Sequence, residues 1–372
     1  MKLRSILFAY LLLTCWTLAC QVPVFRYALE RWQADPYRLQ IIHKEPLAPD
    51  IQKSIQALAG AKINLSIETK NLGKLTEAQR WSLTGLEAIT NFPATILHAP
   101  DAMELPHPLL SGPLANHSLA AITQSPKREE ISRRILAGDS AVWVLLRSGE
   151  REKDAAVRNI LEQGLERARQ TITLPEGVIK PEEVAAAEQK GDLDFEDVLR
   201  STIPLKIAFS IIEIDPQDPA EHVFVRMLTA GMPPELYANE VVIAPIFGRG
   251  RCSGPMPGSE LTAEQVVSTC EYLCGACACS VKAENPGFDV LMMADWDAHV
   301  ETSPVIVEKS LPELSGVSEL QQANEQASEE TNPSPAPAHN ITRIKLGHLV
   351  LLGGVIIGAL FVLTMILNRS NR

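Results

Sequence analysis

The sequence predicts an α/β protein, with sheets covered by helices, and three observations predict it. Segments of strand-like and helix-like hydrophobic spacing alternate along residues 20–300. AVWVLL, residues 141–146, is short and wholly apolar, the pattern of a strand buried on both faces. Residues 152–170 then set Ala155, Val157, Ile160, Leu161 and Leu165 along one side of a long amphipathic helix.

The elements follow in order. Residues 24–32 carry apolar side chains at helical spacing, with Arg26, Glu30 and Arg31 spaced for a structural ion pair. A strand is predicted over 37–43, a helix over 49–58, a strand over 63–67, a helix over 76–88 and a strand over 93–97. Ser125 and Pro126 open the next helix, because Ser caps a helix start and Pro suits its first turn; Gly138 ends it. After the strand at 141–146 and the helix at 152–170 comes an acidic, proline-bounded insertion, 175–204. A strand over 205–214, a helix over 219–228, a strand over 241–247 containing Pro245, a Gly-rich hairpin and a helix over 262–273 complete the series.

The order strand, helix, strand, helix, strand, strand, helix after residue 140 resembles a thioredoxin-type fold, with Pro245 near the place where that fold carries a proline before a late strand. The first half ends in a similar way. The resemblance implies two thioredoxin-like units in tandem, residues 20–139 and 140–300, meeting near 138–141. The redox family's Cys-x-x-Cys is missing from both: Ser148-Gly149-Glu150-Arg151 follows the first strand of the second unit, and Cys20-Gln21-Val22-Pro23 offers one cysteine before the first helix. The phrases VPVFRYALERW, SPKREEI, GDSAVWVLL, FGRGR and CGACACSVKAENPGFD resemble a family of uncharacterised exported, membrane-anchored proteins of planctomycete-like bacteria. That resemblance implies a location and no activity.

Lys2 and Arg4, an apolar run over 6–18 and small residues up to Ala19 predict a signal peptide over 1–19. Cys20 follows at once and fits either plain cleavage before it or a lipidation site. Residues 301–345 are rich in Ser, Glu, Gln and Pro and cannot bury enough apolar surface to order themselves, so they are expected to form a disordered stalk. The charge-free run LVLLGGVIIGALFVLTMIL predicts one transmembrane helix over 346–367 and a cytoplasmic tail over 368–372. The expected location is therefore a single-pass membrane protein with its folded part on the extracytoplasmic side. The chain has 372 residues and a net charge of -11 with no basic stripe, which argues against nucleic acid as a partner; the expected partners are the membrane, through the C-terminal helix, and another protein.

Chemistry concentrates in the cysteines. Beyond Cys15 and Cys20, the other five fall together: Cys252, then Cys270, Cys274, Cys277 and Cys279. A helix puts Cys270 and Cys274 on one face, and a following loop brings Cys277 and Cys279 near. Cys270, Cys274, Cys277 and Cys279 are thus candidate ligands of zinc or copper, or candidates for disulfides in which Cys277 or Cys279 pairs with Cys270, Cys274 or Cys252, or plain buried thiols. Cys277 and Cys279 are too close along the chain to bridge each other without strain. Arg249 and Arg251 in FGRGR offer themselves to a carboxylate or another anion, although a hairpin with close backbone approach explains the glycines. Asp295, Asp297 and His299 are further groups that metals favour, on what reads as a solvated acidic end. No Walker loop, H-E-x-x-H or G-x-S-x-G occurs. The expected role is a non-enzymatic accessory or interaction module; the alternative is a thiol–disulfide oxidoreductase or metal-handling protein using residues 270–279.

Overall fold

A computed structural model describes residues 20–300 apart from 82, 87, 88, 234–236, 238 and 278–280. The expected signal peptide, stalk, transmembrane segment and tail lie outside the described residues, as does Cys279. Among the described residues no helix is long and apolar enough to cross a membrane.

The chain begins with a short strand, β1 (Cys20–Pro23), and a helix, α1 (Val24–Arg31). There follow β2 (Tyr37–His43), α2 (Pro49–Ala59), β3 (Leu65–Asn71), α3 (Glu77–Trp81), β4 (Ala94–His98) and β5 (Leu110–Pro113). Their sheet runs β3-β2-β4-β5. β2 is parallel to β3 and antiparallel to β4, and β4 is antiparallel to β5. Alternation along β2 divides its side chains between faces: Tyr37, Leu39 and Ile41 enter one core, while Ile42 joins Ala94 and Ile96 in a small one. The helix predicted over 76–88 is short: α3 stops at Trp81, and Gly85, at φ +88, takes a conformation that no helix continues through. The bond from Phe92 to Pro93, just before β4, is cis.

Two helices, α4 (Leu119–Thr123) and α5 (Pro126–Leu136), lead to the second sheet. Ser125 caps α5 as expected, its Oγ accepting from the Arg128 N–H at 3.0 Å. Then come β6 (Ala141–Leu146), α6 (Arg151–Thr171), α7 (Val184–Lys190) in the acidic insertion, β7 (Phe209–Ile214) and α8 (His222–Thr229). The series closes with β8 (Val242–Phe247), β9 (Arg251–Cys252), β10 (Met256–Pro257), α9 (Ala263–Cys274), β11 (Ala276–Cys277), β12 (Phe288–Asp289) and α10 (Asp297–Val300). The sheet runs β12-β9-β8-β6-β7, with β10 also on β8. β6 is parallel to β7 and antiparallel to β8, and β8 is antiparallel to β9. The strand at the heart of each sheet therefore has the same neighbours in the same directions.

β6 and β8 are buried along their whole length, as their unbroken apolar sequences require. Val142, Val144 and Leu146 face the larger core, shared with α5 and with Leu39, Ile41 and Leu97 of the first sheet. Ala141, Trp143 and Leu145 face the other core, under α6 and α9. Those two helices approach closely because Gly164 has no side chain; a Cβ there would lie 2.6 Å from Cβ of Val266. Helix α1 also packs in this second core through Val24, Phe25, Tyr27 and Ala28, although it precedes the first sheet in sequence. β1 pairs with β11, so the start of the described chain lies against the end of α9.

A buried ionic clasp joins α1 to the insertion. Arg26 Nε lies 2.8 Å from Glu30 Oε1, one helical turn on, and both side chains are shut off from water. Glu30 accepts from the Ser201 hydroxyl at 2.9 Å and from the N–H groups of Arg200 and Ser201. Arg26 donates to Ser201 Oγ at 2.8 Å and to the Ile203 carbonyl at 2.7 Å. This is the structural ion pair the spacing predicts, extended by an insertion loop that local sequence does not connect to it.

Candidate functional site

The cysteines sort by strand register and helix face. Thr262 opens α9 with a reciprocal cap: its Oγ1 accepts from the Gln265 N–H at 3.2 Å while Gln265 Oε1 accepts from the Thr262 N–H at 2.8 Å. The helix then turns Cys270 and Cys274 onto one face, as predicted, and both are fully buried in the core of Trp143 and Leu145. Cys277, on β11, joins the same core and is 2 % exposed. Cys252 does not. It sits opposite Ile246 across the β8–β9 pair, and directly opposed residues share a face, so its thiol enters the larger core with Val142 and Val144. The sheet itself therefore separates Cys252 from Cys270 and Cys274. Cys20, half-buried on β1, is the register partner of Cys277.

Burial controls the chemistry of these thiols. It pushes Cys274 up to about 12, against the hydrogen bond from Ser140 that favours the thiolate. Cys270 is driven higher still by burial and by the neighbouring Cys274, with the indole of Trp143 beside it a smaller opposing influence. Cys252 is pushed up to about 12 by burial, eased by the Gly254 backbone and Arg251. Cys20 is raised too, mainly by burial; its Sγ donates to the Glu196 carbonyl at 3.1 Å. The thiolate is the nucleophile, and burial disfavours it at Cys252, Cys270 and Cys274. Among the described residues no group of three or more His, Cys, Asp or Glu side chains is arranged to hold a metal ion. The zinc or copper set of Cys270, Cys274, Cys277 and Cys279 extends outside the described residues at Cys279.

FGRGR forms the β8–β9 hairpin. Gly248 and Gly250 have φ of +56 and +95, and a Cβ on either would strike Ala28 or Met292, at 2.7 and 2.5 Å. The two arginines do meet carboxylates, but those of the chain itself. Arg249 donates to Asp297 at 2.6 Å and to the Leu29 carbonyl at 2.8 Å. Arg251 lies 3.5 Å from Asp289, donates to the Asn285 carbonyl at 2.6 Å and covers the Trp32 ring at 5.6 Å. Asp289 also accepts from the Asp35 N–H at 2.6 Å and pairs with Lys282, which reaches Asp35 at 2.7 Å. Burial raises Asp289, and Lys282 works against that rise. Asp297 thus serves Arg249, and His299 contacts the Asp295 carbonyl at 2.9 Å. Beside Arg249 a cavity of about 270 Å³ opens between Gln33, Asn64, Met292, Trp296 and Asp297.

A second buried polar group escaped the sequence reading. Glu221, 1 % exposed, receives the Ser125 hydroxyl at 2.5 Å and the Lys127 N–H at 2.9 Å, placing a carboxylate at the N-terminus of α5. Arg128 lies beside it, lowered by burial to about 10 and donating to the carbonyls of Leu291 and Ile122. Ser125 and Pro126 were legible as a helix start; the distant carboxylate was not. Compared with protein-family models, with curated proteins and with solved structures, the chain matches none.

Proposed function

We propose that this chain is an exported, membrane-anchored accessory or interaction module, built from two thioredoxin-like units that perform no thiol turnover of their own. The observation that carries the reading is the burial of Cys252, Cys270 and Cys274 inside the two cores, out of reach of a disulfide in solution. The common strand order of the two sheets supports the thioredoxin-like comparison. At the turn after β6, where that fold would carry its paired cysteines, Ser148 instead donates to Asp154 at 2.7 Å and accepts from the Glu150 N–H at 3.0 Å. The turn after β2, residues 44–48, contains no cysteine either. Both turns are helix entrances without a nucleophile, and folds so altered serve as binding scaffolds. The proposed anchor is the segment 346–367, with the folded part outside the cytoplasm and the family resemblance of the exported phrases as further support.

A reductase-coupled insulin-reduction assay tests the first half of this reading. No turnover is expected. Turnover lost on Cys277→Ser or Cys279→Ser would establish the oxidoreductase alternative instead. Protease added to intact spheroplasts tests the second half: digestion of the folded part is expected, and its protection would overturn the topology.

A further inference from the structure

We infer that Cys20 and Cys277 are the two halves of a disulfide that fastens the first strand to the loop after α9. They are direct register partners in the antiparallel pair β1–β11. Opposed residues in such a pair have Cα atoms roughly 4.5 or 5.5 Å apart, depending on the class of pair, and a disulfide spans about 4.4–6.8 Å. Either class of pair therefore admits the bond without moving the strands. The Val24 N–H donates to the Gly275 carbonyl at 3.1 Å beside this pair, and the Gln21 N–H, donating to Asp197 at 2.5 Å, ties β1 to the insertion. Cys20 Sγ now rests on the Glu196 carbonyl, so bridging exchanges that hydrogen bond for the S–S bond through rotation about the Cα–Cβ bond. The register irregularity between Cys20 and Pro23 supplies local slack on β1. Among the described cysteines the alternatives are less well placed: Cys252 is across the sheet, and Cys270 and Cys274 lie along a helix face inside the core.

The chemistry balances with a disulfide donor, either a small disulfide or a protein one. The Cys20 thiol, the more exposed of the two, loses its proton and attacks a donor sulfur, releasing one donor thiolate and leaving a mixed disulfide. The Cys277 thiolate then attacks the Cys20 sulfur and releases the second donor thiolate. Two protein thiols become one disulfide, and the donor takes up two electrons and two protons. The raised Cys20 thiol makes the first step faster as the medium becomes alkaline. Lipidation of Cys20 and this bond exclude each other, because both consume the same sulfur.

The test uses the full chain purified in detergent, incubated with oxidised glutathione at mildly alkaline pH, alkylated, digested without reduction and read by mass spectrometry. A Cys20 peptide linked to the peptide bearing Cys277 is expected. The link should vanish in Cys277→Ser and persist in Cys274→Ser and Cys279→Ser. Cys20→Ser, at a half-buried site, should leave Cys277 open to alkylation after denaturation, which keeps the test sound if Cys277→Ser misfolds. Linkage of Cys20 to another cysteine, a stable glutathione adduct on Cys20 without linkage, or a lipid thioether at Cys20 would each overturn the inference.

Discussion

The two sheets share a strand order and differ in how they are covered. β6 and β8 of the second sheet are buried end to end, with a core on each face. In the first sheet β3 is largely open to water, and α2 against it buries no residue fully. Topology alone therefore does not set stability; the apolar composition of the strands decides which sheet is the structural centre. The described core thiols follow the same division, all of them lying on or against the second sheet.

The largest test of this contrast is truncation at matched places. Trp143→Ala on β6 should lower the unfolding free energy by about 4 kcal/mol, since it empties a packed site. Ile67→Ala on β3, only partly buried, should cost about 1 kcal/mol. Equal losses in urea denaturation would erase the distinction.

Next in size is the clasp that ties α1 to the insertion. Arg26→Met leaves the buried Glu30 carboxylate with Arg31, at 3.6 Å, as its remaining cation and should destabilise by about 3 kcal/mol; Arg26→Met with Glu30→Gln should recover part of that loss. If the double variant is no better than the single, the clasp is not a coupled pair.

A smaller effect is expected from alkali. The folded-state values of Cys252, Cys270 and Cys274 lie above their usual 9.0, so their contribution is complete below about pH 9 and is lost as pH climbs toward about 12. Each thiol should account for about 1 kcal/mol by about pH 10. Chemical denaturation across that range should show the decline, and Cys252→Ala or Cys274→Ala should flatten it.

The smallest change is in reactivity without unfolding. In the folded chain reduced beforehand, at neutral pH, maleimide should label Cys20 ahead of Cys252, Cys270 and Cys274, with peptide mapping as the readout. Prompt labelling of Cys274 would mean that α9 opens far more readily than its packing implies.

The sequence made legible those elements whose causes are local. AVWVLL could only be an inner strand, Ser125 with Pro126 marked the start of α5, and four-residue spacing placed Cys270 and Cys274 on one face. The strand predicted over 205–214 begins only at Phe209, since Leu205 to Ala208 pair with nothing as a ladder. β5 escaped because LSGP reads as a turn and is held as a strand only by β4. Relations between distant segments left no local trace. The isolation of Cys252 needs its register against Ile246, the burial of Glu221 needs α5, and the facing of Cys20 and Cys277 needs β1 and β11 together. Charge gave a further ambiguity: Arg249 and Arg251 looked available to a ligand until their own carboxylates were in place.

The pairing of β1 with β11 also sets a schedule. A chain emerging from its N-terminus presents β1 and α1 first, yet their partners on α9 and β11 arrive only when nearly all of residues 20–300 have appeared. Contacts of such long sequence separation form late, because closing the loop costs entropy before any contact repays it. Until then the second core lacks Val266, Cys270 and Leu273 of α9 and stays unsealed. The leading segment is thus kept loose for most of synthesis, and the fold closes on it only at the end.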